Sequence, residues 1–98
     1  MEIRKHRDGG TLTVEVEGRL DTVTSKLLED ALKEELTETD GLVLDFEKLE
    51  YISSAGLRVL LAAQKTMTKQ GEMKLIHVNK TIMEIFEVTG FTDILTIE

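Results

Sequence analysis

Residues 51–57 read Tyr-Ile-Ser-Ser-Ala-Gly-Leu and stand between two apolar segments. The segment before them is strand-like, and the apolar sequence after them has the length and pattern of a helix. Two hydroxyl side chains, those of Ser53 and Ser54, therefore lie where this helix begins. Because the free N–H groups and the dipole of a helix N-terminus favour an anion, the pattern predicts a modifiable serine at a position that suits a regulatory phosphate.

The remaining elements follow from hydrophobic periodicity and from turn residues. We predict, in order, a strand at 3–7, a turn at 8–10, a strand at 11–17, a helix at 22–36, a strand at 42–44, a helix from 54 to just before Gly71, a strand at 73–78, a helix at 80–89 and a last edge strand at 94–97. The apolar face of the first helix is predicted to comprise Val23, Leu27, Leu28, Ala31, Leu32 and Leu36. The continuous apolar run at 42–44 predicts a central strand.

Three residues are predicted to mark helix ends. Asn79 is the expected N-cap of the helix at 80–89, because its side-chain oxygen can accept a backbone N–H. Gly71 and Gly90 are expected to end the two later helices in the left-handed conformation, which glycine adopts without steric cost.

Composition narrows the class of protein. The chain has 98 residues, of which 41% are hydrophobic and 32% charged, and this predicts one soluble domain with a single core. It has no cysteine, and no apolar run approaches the roughly 18 residues of a membrane span. The net charge of −7, without a stripe of Lys or Arg, argues against binding to nucleic acid or to an anionic membrane. We therefore expect a cytoplasmic protein that binds another protein and needs no cofactor or metal.

Two motifs stand out within this order of elements: Gly-Arg-Leu-Asp at 18–21 follows the second strand, and residues 42–46 lead into 51–57. With these motifs, the order of elements resembles the STAS domain of bacterial anti-sigma-factor antagonists. The resemblance covers nearly the whole chain and implies one α/β domain, residues 1–98, with a mixed β-sheet, helices packed on it and the serine loop exposed at one end. Family members usually continue into one more C-terminal helix; because the sequence stops at Glu98, we expect that this helix is absent or was not included.

The resemblance also implies which residues act. The phosphorylatable serine of the family lies two residues before the glycine of a Gly-Leu pair, which makes Ser54 the expected phosphorylation site and Ser53 the second candidate. The family often has Asp before this serine and Ser after it, whereas this chain has Ser53 and Ala55. The resemblance further implies that Asp21 lies beside Ser54. The expected partner-binding residues are Asp21, Ser53, Ser54, Ala55, Gly56, Leu57 and Arg58.

A non-enzymatic switch is the leading hypothesis for function. The resemblance implies that the unphosphorylated protein binds an anti-sigma factor that is also a serine kinase, and so frees the sigma factor. Phosphorylation then releases the protein, and a serine phosphatase restores it. On this hypothesis the chain is a substrate and has no catalytic residues.

Two alternatives come from other classes. One is a constitutive STAS subunit of a sensory or lipid-transport complex, in which Ser54 only caps its helix. The other is a receiver phosphorylated at Asp45 with Mg²⁺, which is disfavoured because two strands precede the first helix and no acidic pair ends an opening strand. His6 and His77 lack the spacing of metal ligands, and His77 falls in a strand pattern. Asp21 and Arg58 also fit a helix cap and an exposed surface cation.

Overall fold

The computed structural model describes residues 1–98, and its centre is a mixed β-sheet of five strands. The strands are β1 (Glu2–Asp8), β2 (Thr11–Leu20), β3 (Gly41–Asp45), β4 (Leu49–Ile52) and β5 (Glu72–Ile76). The first two form an antiparallel hairpin, and the pairs β2–β3, β3–β5 and β2–β4 are parallel. The predicted hairpin, mixed sheet and central strand β3 are confirmed. The opening hairpin also distinguishes the fold from the parallel sheet of a receiver, so that alternative is wrong.

Three helices connect the strands: α1 (Thr24–Glu35), α2 (Ser54–Gln70) and α3 (Lys80–Thr89), with 3₁₀ turns at Leu36–Glu38 and Phe91–Asp93. The predicted ends of α3 are confirmed. Asn79 Oδ1 accepts a hydrogen bond from the N–H of Ile82 at 2.9 Å, and Gly90 is left-handed with φ 81°. These ends are set by short-range hydrogen bonds and backbone geometry, which the sequence encodes locally.

The prediction that Gly71 is left-handed is wrong. Its φ is 175°, an extended conformation, because β5 begins at the next residue and the N–H of Glu72 donates to Asp40 O at 3.0 Å. A Cβ at residue 71 would lie 1.7 Å from Asp40 O, so the glycine allows the end of α2 to pass close to the chain that enters β3.

The core lies on one face of the sheet, under the helices. Its 22 buried apolar residues include alternate positions of β2 (Leu12, Val14 and Val16) and a stripe formed by Leu28 and Leu32 of α1 with Leu36 of the following 3₁₀ turn. Two residues predicted for the buried face of α1 are exposed instead, Val23 to 77% and Leu27 to 53%. The helix begins at Thr24, so Val23 belongs to the preceding turn, and a single stripe is sufficient to cover the sheet.

The sequence patterns missed β4 and overestimated the last strand. Strand β4 has only four residues and exists because β2 changes partner: its register shifts between Gly18 and Arg19, with Gly18 at φ 105°. The predicted edge strand at 94–97 is reduced to one parallel bridge between Ile97 and Leu75. Short pairings of this kind depend on distant partners, so hydrophobic periodicity does not identify them.

Candidate functional site

Ser53 and Ser54 occupy two different positions at the start of α2. Ser53 is the N-cap: its backbone is extended (φ −93°, ψ 176°), and its Oγ accepts from the N–H of Gly56 at 3.4 Å. Its carbonyl accepts the first helical hydrogen bond, from Leu57 N at 2.9 Å. Ser54 is the first helical residue, as predicted. The hydroxyl that caps the helix is therefore that of Ser53, and the expectation that Ser54 caps it, which accompanied the constitutive-subunit alternative, is wrong.

The two serines also differ in accessibility. Ser54 is exposed, and its hydroxyl makes no hydrogen bond within the chain, whereas Ser53 is half-buried and engaged in its cap. An exposed and unengaged hydroxyl is the one that a modifying enzyme reaches without disturbing the helix.

The next two residues of the motif pack beneath the serines. Gly56 is buried against Ile52 and Leu20, and a Cβ at this position would lie 2.7 Å from Ile52 Cγ1. Leu57 is 8% exposed and belongs to the core. Gly56 and Leu57 therefore hold the start of α2 against the ends of β2 and β4, while Ala55 is half-buried and Arg58 is exposed.

The tertiary structure brings Asp21 to the same end of the molecule. The N–H of Ser53 donates to Leu20 O at 2.8 Å, so the residue after Leu20 lies beside the start of α2. Asp21 also precedes the turn that leads into α1: its carbonyl accepts from Ser25 N at 2.9 Å, and its Oδ1 accepts from Thr24 N at 2.9 Å. The Asp21 carboxylate therefore closes the turn that leads into α1, whereas the N-cap position of the helix is Val23, two residues later.

The charge of Asp21 is stabilised by these contacts. The backbone N–H of Thr24, followed by its hydroxyl, holds the pKa of the Asp21 carboxyl below its ordinary value. Hydrogen bonds to the charged form favour ionisation, so Asp21 carries a negative charge at the end of the molecule where α2 begins.

Three cations lie around this end, and two of them are engaged. Arg19 stacks over the ring of Tyr51, with its guanidinium carbon 4.3 Å from the ring centroid. Lys26 pairs with carboxylates one turn further along α1. Arg58 has no ion pair or hydrogen bond in the chain and lines an open cleft of about 360 Å³ between the starts of α1 and α2.

The sequence patterns missed two surface residues near this cleft. Val23, in the turn that follows Asp21, and Leu27, in the first turn of α1, lie four residues apart, and both are exposed. Contiguous exposed apolar area with a polar rim is a feature of surfaces that bind other proteins, and these two side chains contribute apolar area at this end of the molecule. The sequence does indicate their exposure, because the apolar face of this helix is wider than the stripe that packs on the sheet.

A second polar cluster lies at the carboxyl edge of β3 and β5. His77 Nδ1 is 3.0 Å from Asp45 Oδ1, and this hydrogen bond raises the pKa of His77. With Glu47, these residues offer ligand atoms within 4.8 Å of one another, but the hydrogen bonds of Asp45 to His77 and to the N–H of Glu47 account for the arrangement. His77 was predicted inside a strand, which is wrong: β5 ends at Ile76, and His77 has φ 57°.

Asp45 and His77 could have been paired from the sequence. Each follows or ends an apolar strand, and the carboxyl ends of neighbouring parallel strands lie at one edge of a sheet.

None of the helices combines the length and the hydropathy that a membrane span requires.

Comparison with known proteins agrees with this architecture. The family model of the STAS domain matches residues 2–98. The chain is 32% identical to the anti-sigma-B factor antagonist of Listeria monocytogenes, over 96% of this chain and 84% of that protein. The crystal structure of an anti-sigma factor antagonist from Mycobacterium paratuberculosis superposes with a TM-score of 0.89 at 23% identity, over 98% and 83% of the two chains.

A third relative is known in a modified state. The structure of the Bacillus cell fate determinant SpoIIAA in the phosphorylated form superposes with a TM-score of 0.78 at 15% identity, over 99% of this chain and 91% of the other. At this identity the likeness concerns the fold alone. The match of the family model to nearly every residue, together with the Listeria relative, shows that the chain belongs to the STAS domain family.

Proposed function

We propose that the protein is an anti-sigma-factor antagonist that phosphorylation of Ser54 switches off. The observation that carries the proposal is the difference between the two serines at the start of α2. Ser53 caps the helix, whereas the hydroxyl of Ser54 is exposed and makes no hydrogen bond in the chain. The name of the Listeria relative supports the antagonist role, and SpoIIAA, a protein with the same fold, has a structure in a phosphorylated form.

Phosphate at Ser54 is compatible with the folded domain. It adds about −1.5 to −2 charges at neutral pH, and the N–H groups and dipole of the α2 N-terminus stabilise an anion at that position. Phosphate on Ser53 would instead displace the oxygen that caps Gly56 N. This difference supports Ser54 as the site and Ser53 as a structural residue.

The partner-binding surface that we propose surrounds Ser54. Asp21 and Arg58 contribute charges of opposite sign, and Val23 and Leu27 contribute apolar area. A partner that fits a neutral hydroxyl next to the Asp21 carboxylate would meet a bulky, hydrated dianion after phosphorylation. A loss of about 3 kcal/mol in binding free energy corresponds to a complex roughly a hundredfold weaker.

The partners follow from this cycle. The anti-sigma factor acts as the serine kinase, and a serine phosphatase regenerates the binding form. The protein itself is a regulatory binding protein and catalyses no step. The requirement for ATP in the kinase step supports a cytoplasmic location.

The experiment combines the purified protein with its cognate anti-sigma kinase and ATP. Phosphate incorporation is measured by mass spectrometry, and complex formation by size-exclusion chromatography. We expect Ser54→Ala to bind the kinase without accepting phosphate, Ser53→Ala to be phosphorylated, and Ser54→Glu to stay folded but bind more weakly. Phosphate on the Ser54→Ala protein, or undiminished binding by the phosphorylated form, would refute the switch. A complex that forms while Ser54 is never phosphorylated would favour a constitutive interaction subunit.

A further inference from the structure

Arg58 lies one helical turn after Ser54, and both side chains are exposed. Residues four apart on a helix are surface neighbours, with about 5–6 Å between their Cβ atoms. Side chains on an α-helix tilt toward its N-terminus, so the Arg58 side chain is directed toward the turn that contains Ser54. The spacing therefore places a guanidinium within reach of a group attached to the Ser54 oxygen.

Arg58 is also the cation at this end of the molecule that has no partner in the chain. Arg19 stacks on Tyr51, and Lys26 pairs with Glu29 and Asp30, so each of these two would have to give up a contact to bind a new anion. A new anion at residue 54 would meet Arg58 without breaking any existing interaction.

The helix dipole makes Arg58 costly in one state and favourable in the other. A cation in the first turns of a helix is repelled by the partial positive charge of the N-terminus. A phosphate on Ser54 reverses the local charge, because its oxygens accept charge-assisted hydrogen bonds and the planar guanidinium can donate two of them in parallel.

On the basis of the function proposed above, we propose that the Arg58 guanidinium binds the phosphate of Ser54 and is available to the anti-sigma partner only while Ser54 carries a hydroxyl. Phosphorylation then changes the surface twice: it adds an anion, and it withdraws a cation that the partner contacts. Arg58 is thus a specificity-determining residue of the switch. A negative charge added elsewhere on the surface would not withdraw the Arg58 guanidinium from the partner, whereas the phosphate on Ser54 does.

The ion pair is tested in the full chain with phosphoserine inserted at position 54 during translation, so that no kinase is needed. A ³¹P NMR titration reports the midpoint at which the phosphate loses its last proton. In Arg58→Gln we expect this midpoint to rise by about 0.2 to 0.4 pH unit above that of the otherwise unchanged protein, the equivalent of one ion pair between residues four apart on a helix.

Two further variants provide the controls. Lys65→Gln removes the same charge from the exposed surface of α2 two turns further on, and it should leave the midpoint unchanged. Arg58→Lys keeps the charge but loses the bidentate geometry of the guanidinium. Its phosphate midpoint should therefore fall between those of the unmutated protein and Arg58→Gln. Coincident midpoints for the unmutated protein and Arg58→Gln at low salt would overturn the proposal.

A second measurement tests the exchange between phosphate and partner. The affinity of the protein for the purified cognate anti-sigma kinase is measured with Ser54 unmodified and with phosphoserine at position 54. ADP replaces ATP in the buffer, so that no phosphate is transferred during the measurement. Arg58→Gln should weaken the hydroxyl complex by about 1.5-fold to fivefold, the range for one solvent-accessible charge contact, and leave the phosphoserine complex unchanged. Equal weakening of both forms, or of neither, would overturn the exchange.

The outcomes separate this inference from the proposed function. If the kinase never phosphorylates Ser54 while the ³¹P midpoint depends on Arg58, the proposed function fails and the ion pair stands. If Ser54 is phosphorylated and the midpoint does not depend on Arg58, the switch stands and the role of Arg58 is refuted.

Discussion

Substitution of Ser53 should separate the stability of the domain from its regulation. Ser53→Ala removes the oxygen that accepts from Gly56 N, whereas Ser54→Ala removes an exposed hydroxyl with no hydrogen bond in the chain. We expect the first change to destabilise the fold but permit phosphorylation. The second should leave stability within about 0.5 kcal/mol and abolish phosphorylation.

The magnitude follows from the geometry of the cap. Loss of an N-cap costs about 0.5–2 kcal/mol, and the 3.4 Å distance between Ser53 Oγ and Gly56 N is long for a hydrogen bond. We therefore expect about 0.5–1 kcal/mol for Ser53→Ala. In a domain of this size the loss corresponds to a melting temperature lower by about 2–8 °C.

The assay pairs thermal unfolding with phosphate incorporation by the cognate kinase. Ser53→Asn is the matched rescue, because asparagine is as good an N-cap as serine and cannot be phosphorylated. It should restore the melting temperature and retain phosphorylation of Ser54. The reasoning is refuted if Ser54→Ala is as unstable as Ser53→Ala, or if Ser53→Asn is folded but accepts no phosphate.

Three further predictions concern the frame of the site. Leu60→Ala should lower the free energy of unfolding by about 2–5 kcal/mol because Leu60 is fully buried. Leu61→Ala should lower it clearly less because Leu61 is half-buried. Equal urea midpoints for the two variants would contradict the packing of α2. Gly71→Ala should cost about 1–3 kcal/mol because its Cβ has no space against the main chain, and an unchanged midpoint would contradict this close approach. His77 should titrate above its ordinary value in an NMR experiment and return toward it in Asp45→Asn. Because the folded-state pKa is the raised one, the stability lost in His77→Gln should be larger at about pH 5.5 than at about pH 8.5, and the opposite trend would contradict the pairing.

The sequence by itself determined the features that depend on neighbouring residues. Asn79 caps α3 and Gly90 ends it through contacts within a few residues, and the alternation of β2 directs Leu12 and Val14 to one face. The motif at 51–57 likewise placed two hydroxyls at the start of a helix. Such features are encoded locally, because the hydrogen bonds and steric limits that produce them span one or two turns of chain.

The tertiary structure alone decided which residues meet. The length of β4 depends on its pairing with β2, and that pairing also brings Asp21 beside the serines. It decided that Val23 is left exposed, that Gly71 is required by a carbonyl 31 residues earlier in the chain, and that His77 pairs with Asp45. It also decided which serine caps α2 and which is left open. These outcomes depend on contacts between segments that are distant in the sequence. The partner side chains come together only when the sheet has formed, so a local sequence pattern does not indicate how strongly they interact.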